Sequence, residues 1–183
     1  RKPHTCSQCH LEPDVPAWEV YRESKHGNIV LSMPEGIDWN AVPWVAGDDF
    51  SAPSCATCHS SLLTRPDGSL LAPRTHDFGS RLWVRLFSLV YSHPQPKSGK
   101  TYEIKNADGL PMPTTFTGQP ATEFLIGKEE ADKRRYAMKT LCGACHSSDW
   151  AARHFDRLDG AIAEADSMIL TSTMLMQKGW DAG

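Results

Sequence analysis

Cys142-Gly143-Ala144-Cys145-His146 repeats a spacing that also occurs at Cys6-Ser7-Gln8-Cys9-His10 and at Cys55-Ala56-Thr57-Cys58-His59, and the three pentads use all six cysteines. Each reads Cys-x-x-Cys-His, the attachment signature of c-type haem: two thiols add to the porphyrin vinyl groups and the histidine ligates the iron. The rival readings of a cysteine pair fit less well. Zinc needs two pairs to converge, or a further His-x-x-x-His, and three pairs do not divide into four-cysteine sites. A thioredoxin-like motif would be single and set in a βαβ pattern. A structural disulfide gives no reason for a histidine after the second cysteine three times over. The pattern predicts three covalently attached haem c groups, fixed by Cys6, Cys9, Cys55, Cys58, Cys142 and Cys145. His10, His59 and His146 are the expected proximal iron ligands.

The chain has 183 residues and a formal net charge of -3, with no basic stripe or cluster, which argues against nucleic acid as a partner. Three macrocycles would replace much of the core that side chains usually form in a chain of this size. The longest apolar-rich stretch, Leu82 to Tyr91, is interrupted by Arg85 and Ser88 and is too short to span a membrane. Haem attachment of this kind implies export, so a periplasmic or extracellular location and redox protein partners are expected. The chain opens five residues before Cys6 without a signal peptide and stops at Trp180-Asp181-Ala182-Gly183. Residues 1–183 are thus expected to form a single triheme module cut from a longer multihaem protein, with any subdomain boundary in a loop at 92–122.

The fold class expected is mainly α, with long loops and a long C-terminal helix of the bundle type. From Ala17 to His26 the spacing of Trp18, Tyr21 and Arg22 predicts a helix that Gly27 ends. His26 would then share a face with Trp18. Residues 28–54 form an ordered loop in which Trp39 and Trp44 are either a wall against a flat group or core aromatics. Arg65-Pro66-Asp67-Gly68 is a turn signal. Arg81 and Arg85, four apart in Arg81-Leu82-Trp83-Val84-Arg85-Leu86-Phe87, would share a face on a helix or on a strand and hold haem propionates, unless they are solvated surface charge. Asn106-Ala107-Asp108-Gly109 suggests a short hairpin. Lys128 to Leu141 is a charged helix leading into the third pentad. Phe155, Leu158, Ile162, Ala165, Ile169, Ser172 and Met176 repeat in steps of three and four, which predicts a helix closed by Gly179 and packed along its whole length, in a core, a bundle or a subunit contact.

Five histidines remain for the distal sides of the irons. His26 and His76 are the best placed, each in its own segment, and His4 is third, too close to its own iron but able to serve a neighbour. His154 and His93 read as surface residues. Met112, between two prolines, is the other type of ligand considered. Two histidines on an iron leave no room for substrate and favour electron transfer.

Ser24-Lys25-His26-Gly27, Ala52-Pro53-Ser54-Cys55-Ala56-Thr57-Cys58-His59, Thr75-His76-Asp77 and Leu141-Cys142-Gly143-Ala144-Cys145-His146-Ser147, with the helix carrying Ala165-Asp166, resemble the C-terminal haem region of the hydroxylamine oxidoreductase-like octahaem cytochromes c. The resemblance spans most of the chain and is thin over 92–128. It implies a helical fold, closely packed haems with bis-histidine relay sites, and oligomers, commonly trimers, or association with other haem-bearing segments. This chain has three attachment motifs where the family has eight, and no residue in it is assigned to the family's catalytic haem or to its cross-linking tyrosine. The function expected is single-electron relay through bis-histidine haems. Two rivals are part of a hydroxylamine- or hydrazine-oxidising or nitrite-reducing enzyme, and a subunit of a cytochrome filament.

Overall fold

The computed structural model describes residues 1–13, 15–86 and 90–183; Asp14 of the first haem segment and Phe87 of the arginine-bearing segment lie outside the described residues. Helices α1 (Pro3–Cys6), α2 (Ala17–Glu23) and α3 (Lys25–Ser32) come first, then strand β1 (Trp44–Val45), helix α4 (Cys55–His59), the short strands β2 (Leu63–Thr64), β3 (Leu70–Ala72), β4 (Val84–Arg85) and β5 (His93–Pro94), and helices α5 (Lys128–Cys142) and α6 (Ser148–Asp181). Helix accounts for 44% and strand for 9% of the described residues, which bears out the mainly α fold class. The chain divides into two compact units, Arg1–Arg81 with Tyr136–Ser147 and Leu82–Arg135 with Ser148–Gly183. The loop at 92–122 lies inside the second unit, and the divide comes at 81/82.

In the first unit, β1 pairs parallel with β2 and β2 antiparallel with β3. Gly68, at φ 80°, donates its N–H to the Arg65 carbonyl 2.9 Å away and closes the turn that Arg65-Pro66-Asp67-Gly68 predicts. The core gathers Val30, Ile37, Trp44, Phe50 and Leu63, with Tyr21, Leu141 and Ala144 packed against it. Trp44 is 0% exposed, lies 4.7 Å from the Phe50 ring and donates its indole N–H to the Asp38 carbonyl at 2.8 Å. Of the two readings of Trp44, core aromatic is the one the structure supports.

The expected helix from Ala17 to His26 is two helices. Ser24 interrupts it: its hydroxyl donates to the Tyr21 carbonyl at 2.6 Å and accepts from the Gly27 N–H at 3.0 Å, so the same side chain ends α2 and caps α3. Gly27 does not terminate anything. It sits buried inside α3, where a Cβ would fall 2.0 Å from the Tyr21 carbonyl oxygen. His26 accordingly belongs to α3 and Trp18 to α2, and Trp18 packs on His4 with ring centres 5.1 Å apart.

In the second unit β4 and β5 pair antiparallel, with Arg85 opposite His93. Asn106 accepts the N–H groups of Asp108 and Leu110 on its side chain and the Gly109 N–H on its carbonyl, making a tight turn, without flanking strands among the described residues, where a hairpin was expected. Helix α5 matches the predicted charged helix to within one residue. Arg135 grips Asp159 through both guanidinium nitrogens and lies 5.9 Å from the centre of the Trp83 ring, which stacks on Phe155 at 5.2 Å. Asp166 of α6 accepts from both the backbone N–H and the hydroxyl of Ser92.

Helix α6 runs 34 residues, passing through Gly160 and continuing two residues beyond Gly179. It is not packed along its whole length by the described residues. Ala151, Phe155 and Thr173 are buried, but Met168, Leu175 and Trp180 are 64%, 63% and 68% exposed. No described helix is long and apolar enough to cross a membrane.

Arg81 and Arg85 share neither a helix nor a strand. Arg81 lies in a turn of the first unit and Arg85, exposed, on β4 of the second. The Arg81 guanidinium is spent on backbone: it donates to the carbonyls of Thr57 at 2.9 Å, Ser61 at 2.6 Å and Pro73.

Candidate haem centre

Each pentad folds as one helical turn. Cys9 and His10 donate their N–H groups to the Cys6 carbonyl at 3.1 and 3.0 Å, Cys145 and His146 donate to the Cys142 carbonyl at 3.2 and 2.9 Å, and Cys55–His59 is α4 itself. Residues three and four apart on such a turn face the same way. The two thiols and the imidazole of each pentad therefore point to one side, as attachment to one porphyrin edge and its iron requires. The capping box of α4, in which Ser54 and Thr57 exchange side-chain to backbone bonds, fixes where the second turn starts. All six cysteines are unbridged, and among the described residues no group of three or more histidine, cysteine or acidic side chains converges as a zinc site would.

All three pentads lie in the first unit. Helices α1 and α4 pack together, and Ser54 Oγ donates to the Arg1 carbonyl at 3.1 Å. Burial pushes the Cys55 thiol up to about 11, with the neighbouring Cys6 thiol as a further cause. Burial likewise pushes Cys58 up to about 11; Cys142 adds to the rise and Arg81 opposes it. Cys142 is itself raised by burial. Cys55 thus lies within electrostatic reach of Cys6, and Cys58 within electrostatic reach of Cys142. Tyr21, whose hydroxyl donates to the Pro53 carbonyl at 3.0 Å, is raised by burial and by Cys55 and Cys58.

His59 and the His26–His146 pair have the geometry that bears on iron ligation. His59 Nδ1 lies 2.8 Å from the Phe78 carbonyl oxygen; a carbonyl only accepts, so Nδ1 carries the proton and Nε2 keeps its lone pair. His26 faces His146, ring centre to ring centre 6.0 Å. Two imidazoles bound through nitrogen on opposite sides of one metal, with bonds of about 2 Å, hold their ring centres about 6 Å apart. Among the described residues no ring contact brings another distal candidate to a proximal histidine. His4 is exposed against Trp18, and His76 is exposed in a loop whose Thr75 N–H binds the Ser60 carbonyl at 3.0 Å. Among the described residues neither has a ring contact with His10 or His59.

His154 is exposed as expected and stacks on Trp150 at 5.0 Å. His93 is not a surface residue: it is 3% exposed, with Nδ1 2.7 Å from the Pro94 carbonyl oxygen. Met112 lies in the second unit, apart from the pentads in the sequence and in the division into units.

Residues 1–65 match a family described as seven times multi-haem cytochrome CxxCH. The chain is 28% identical to the probable nitrite reductase-hydroxylamine oxidoreductase fusion protein of Kuenenia stuttgartiensis, over 97% of this chain and 19% of that protein. A solved structure titled hypothetical multiheme protein superposes with a TM-score of 0.86 at 38% identity, over 98% of this chain and 42% of that one. The reducing HAO-like protein complex of Kuenenia stuttgartiensis superposes at 0.69 with 23% identity, over 97% of this chain and 32% of that one, a likeness of fold. The chain therefore spans less than half the length of each of these relatives.

Proposed function

From this likeness to hydroxylamine oxidoreductase-like multihaem cytochromes, which supports covalently bound haem c and haem-based electron transfer, we propose that the chain holds three haems and relays single electrons along them. Haem iron, when bound, supplies the one-electron chemistry by cycling between ferric and ferrous states. The residues supply the rest. Cys6 and Cys9, Cys55 and Cys58, and Cys142 and Cys145 fix three rings in the order in which their thiols neighbour one another. His10, His59 and His146 take the proximal positions.

His26 takes the distal position on the iron of His146, and the 6.0 Å separation of the two rings is the observation that carries the reading. His4 and His76 remain the proposed ligands for the other two irons. Filling both axial positions closes each iron to substrate and keeps it low-spin, which suits transfer over catalysis. The chain's share of its relatives favours a place as the relay portion of a longer multihaem protein, exported and meeting haem-bearing partners. The curated relative's own title favours an oxidoreductase as that larger protein.

The test is the spin state of the oxidised holoprotein. Wild type is expected to be wholly low-spin, and His26→Ala to convert one iron to high-spin with all three haems still attached. A variant that stays wholly low-spin removes His26 from the ligand set.

A further inference from the structure

Arg81 has a task at the second site beyond holding the backbone. Its guanidinium donates to the Thr57 carbonyl, inside the second pentad, and to the Ser61 carbonyl, two residues past His59. A third bond goes to Pro73. The three carbonyls surround the planar fork and leave it half-buried. A guanidinium keeps its charge in proteins, so this is a permanent cation set beside one attachment helix.

We propose that Arg81 sets the reduction potential of the haem at Cys55 and Cys58, holding it higher than it would otherwise lie. Ferric haem carries one more positive charge than ferrous haem, so a fixed cation nearby disfavours the oxidised form and makes reduction easier. The interaction falls with distance and is screened less where groups are buried. All three carbonyl partners of Arg81 belong to 57–73, so site 2 feels it first. As Cys55 and Cys58 lie within electrostatic reach of Cys6 and Cys142, the potential of site 2 decides whether electrons pause on the middle haem or cross it. Arg81 is a positioning and tuning residue in this role and touches no reacting atom.

The inference rests on the reading that Cys55 and Cys58 carry a haem, and the experiment separates the two. Haem content by mass and midpoint potentials by spectroelectrochemical titration are measured on the holoprotein in wild type, Arg81→Gln, Arg81→Lys and Ser80→Asp. Ser80→Asp introduces a negative charge at the position before Arg81 and leaves all three carbonyl partners of the guanidinium in the chain, so it reads the effect of charge at this turn even if Arg81→Gln loses its fold. The expected result is three haems throughout, with one of the three potentials lowered in Arg81→Gln and in Ser80→Asp and kept near wild type in Arg81→Lys. Unmoved potentials in Arg81→Gln and Ser80→Asp, or a shift in Arg81→Lys as large as in Arg81→Gln, overturn it. A wild-type protein without haem at Cys55 and Cys58 overturns the haem reading, and this inference with it.

Discussion

His93 donates its Nδ1 proton to the Pro94 carbonyl at 2.7 Å, and burial, the largest cause, holds its pKa below the ordinary histidine value. The unfolded chain takes up a proton near pH 6.5 and the folded one only at lower pH. This group's contribution to stability is therefore full above about pH 6.5 and is lost as the pH falls through the lower folded-state value. Thermal unfolding followed from pH 7.5 to 5 is expected to show a decline that flattens in His93→Gln, and parallel profiles for the two proteins would refute this. The burial of His93 was not legible in the sequence, because strands of two residues, such as β4 and β5, show no alternation to read. A histidine before a proline then looks like loop surface. The three pentads were legible as motifs because their residues are contiguous.

The break between α2 and α3 sets where His26 stands. A one-residue link, Ser24, joins the two helices, and Gly27 lets α3 approach the Tyr21 carbonyl more closely than any side chain would permit. Gly27→Ala places a Cβ on that backbone oxygen, so α3 has to move, at a cost of about 1–3 kcal/mol typical of overpacking. The expected outcome is a lower melting temperature together with a partial high-spin signal, as His26 leaves its place opposite His146. Unchanged spin state and melting temperature would contradict the account of Gly27. Periodicity alone could not find this break, because Trp18, Tyr21 and His26 fit one continuous helix equally well; the signal was Ser24, a residue type that favours helix N-caps, set inside the run. Helices α5 and α6 were legible for the opposite reason, since 15 and 34 residues of steady patterning leave little ambiguity of type.

At the scale of the molecule, the three attachment turns gather in one compact unit although the third is separated from the second by more than eighty residues of chain. That gathering was not legible, because it depends on Leu141 and Ala144 packing against the core around Trp44 and Leu63, a contact between distant segments. The division at 81/82 was hidden likewise: the proline- and glycine-rich run at 92–122 looks like a linker but folds within the second unit. The electrostatic reach of Cys6 to Cys55 and of Cys142 to Cys58 is what favours the proposed reading of the unit as a path. The most direct test of that account is peptide mass mapping of the denatured holoprotein. It predicts one thioether-bound haem on each of the peptides containing Cys6 and Cys9, Cys55 and Cys58, and Cys142 and Cys145. A pentad found with free thiols, a disulfide or zinc in place of haem would contradict it.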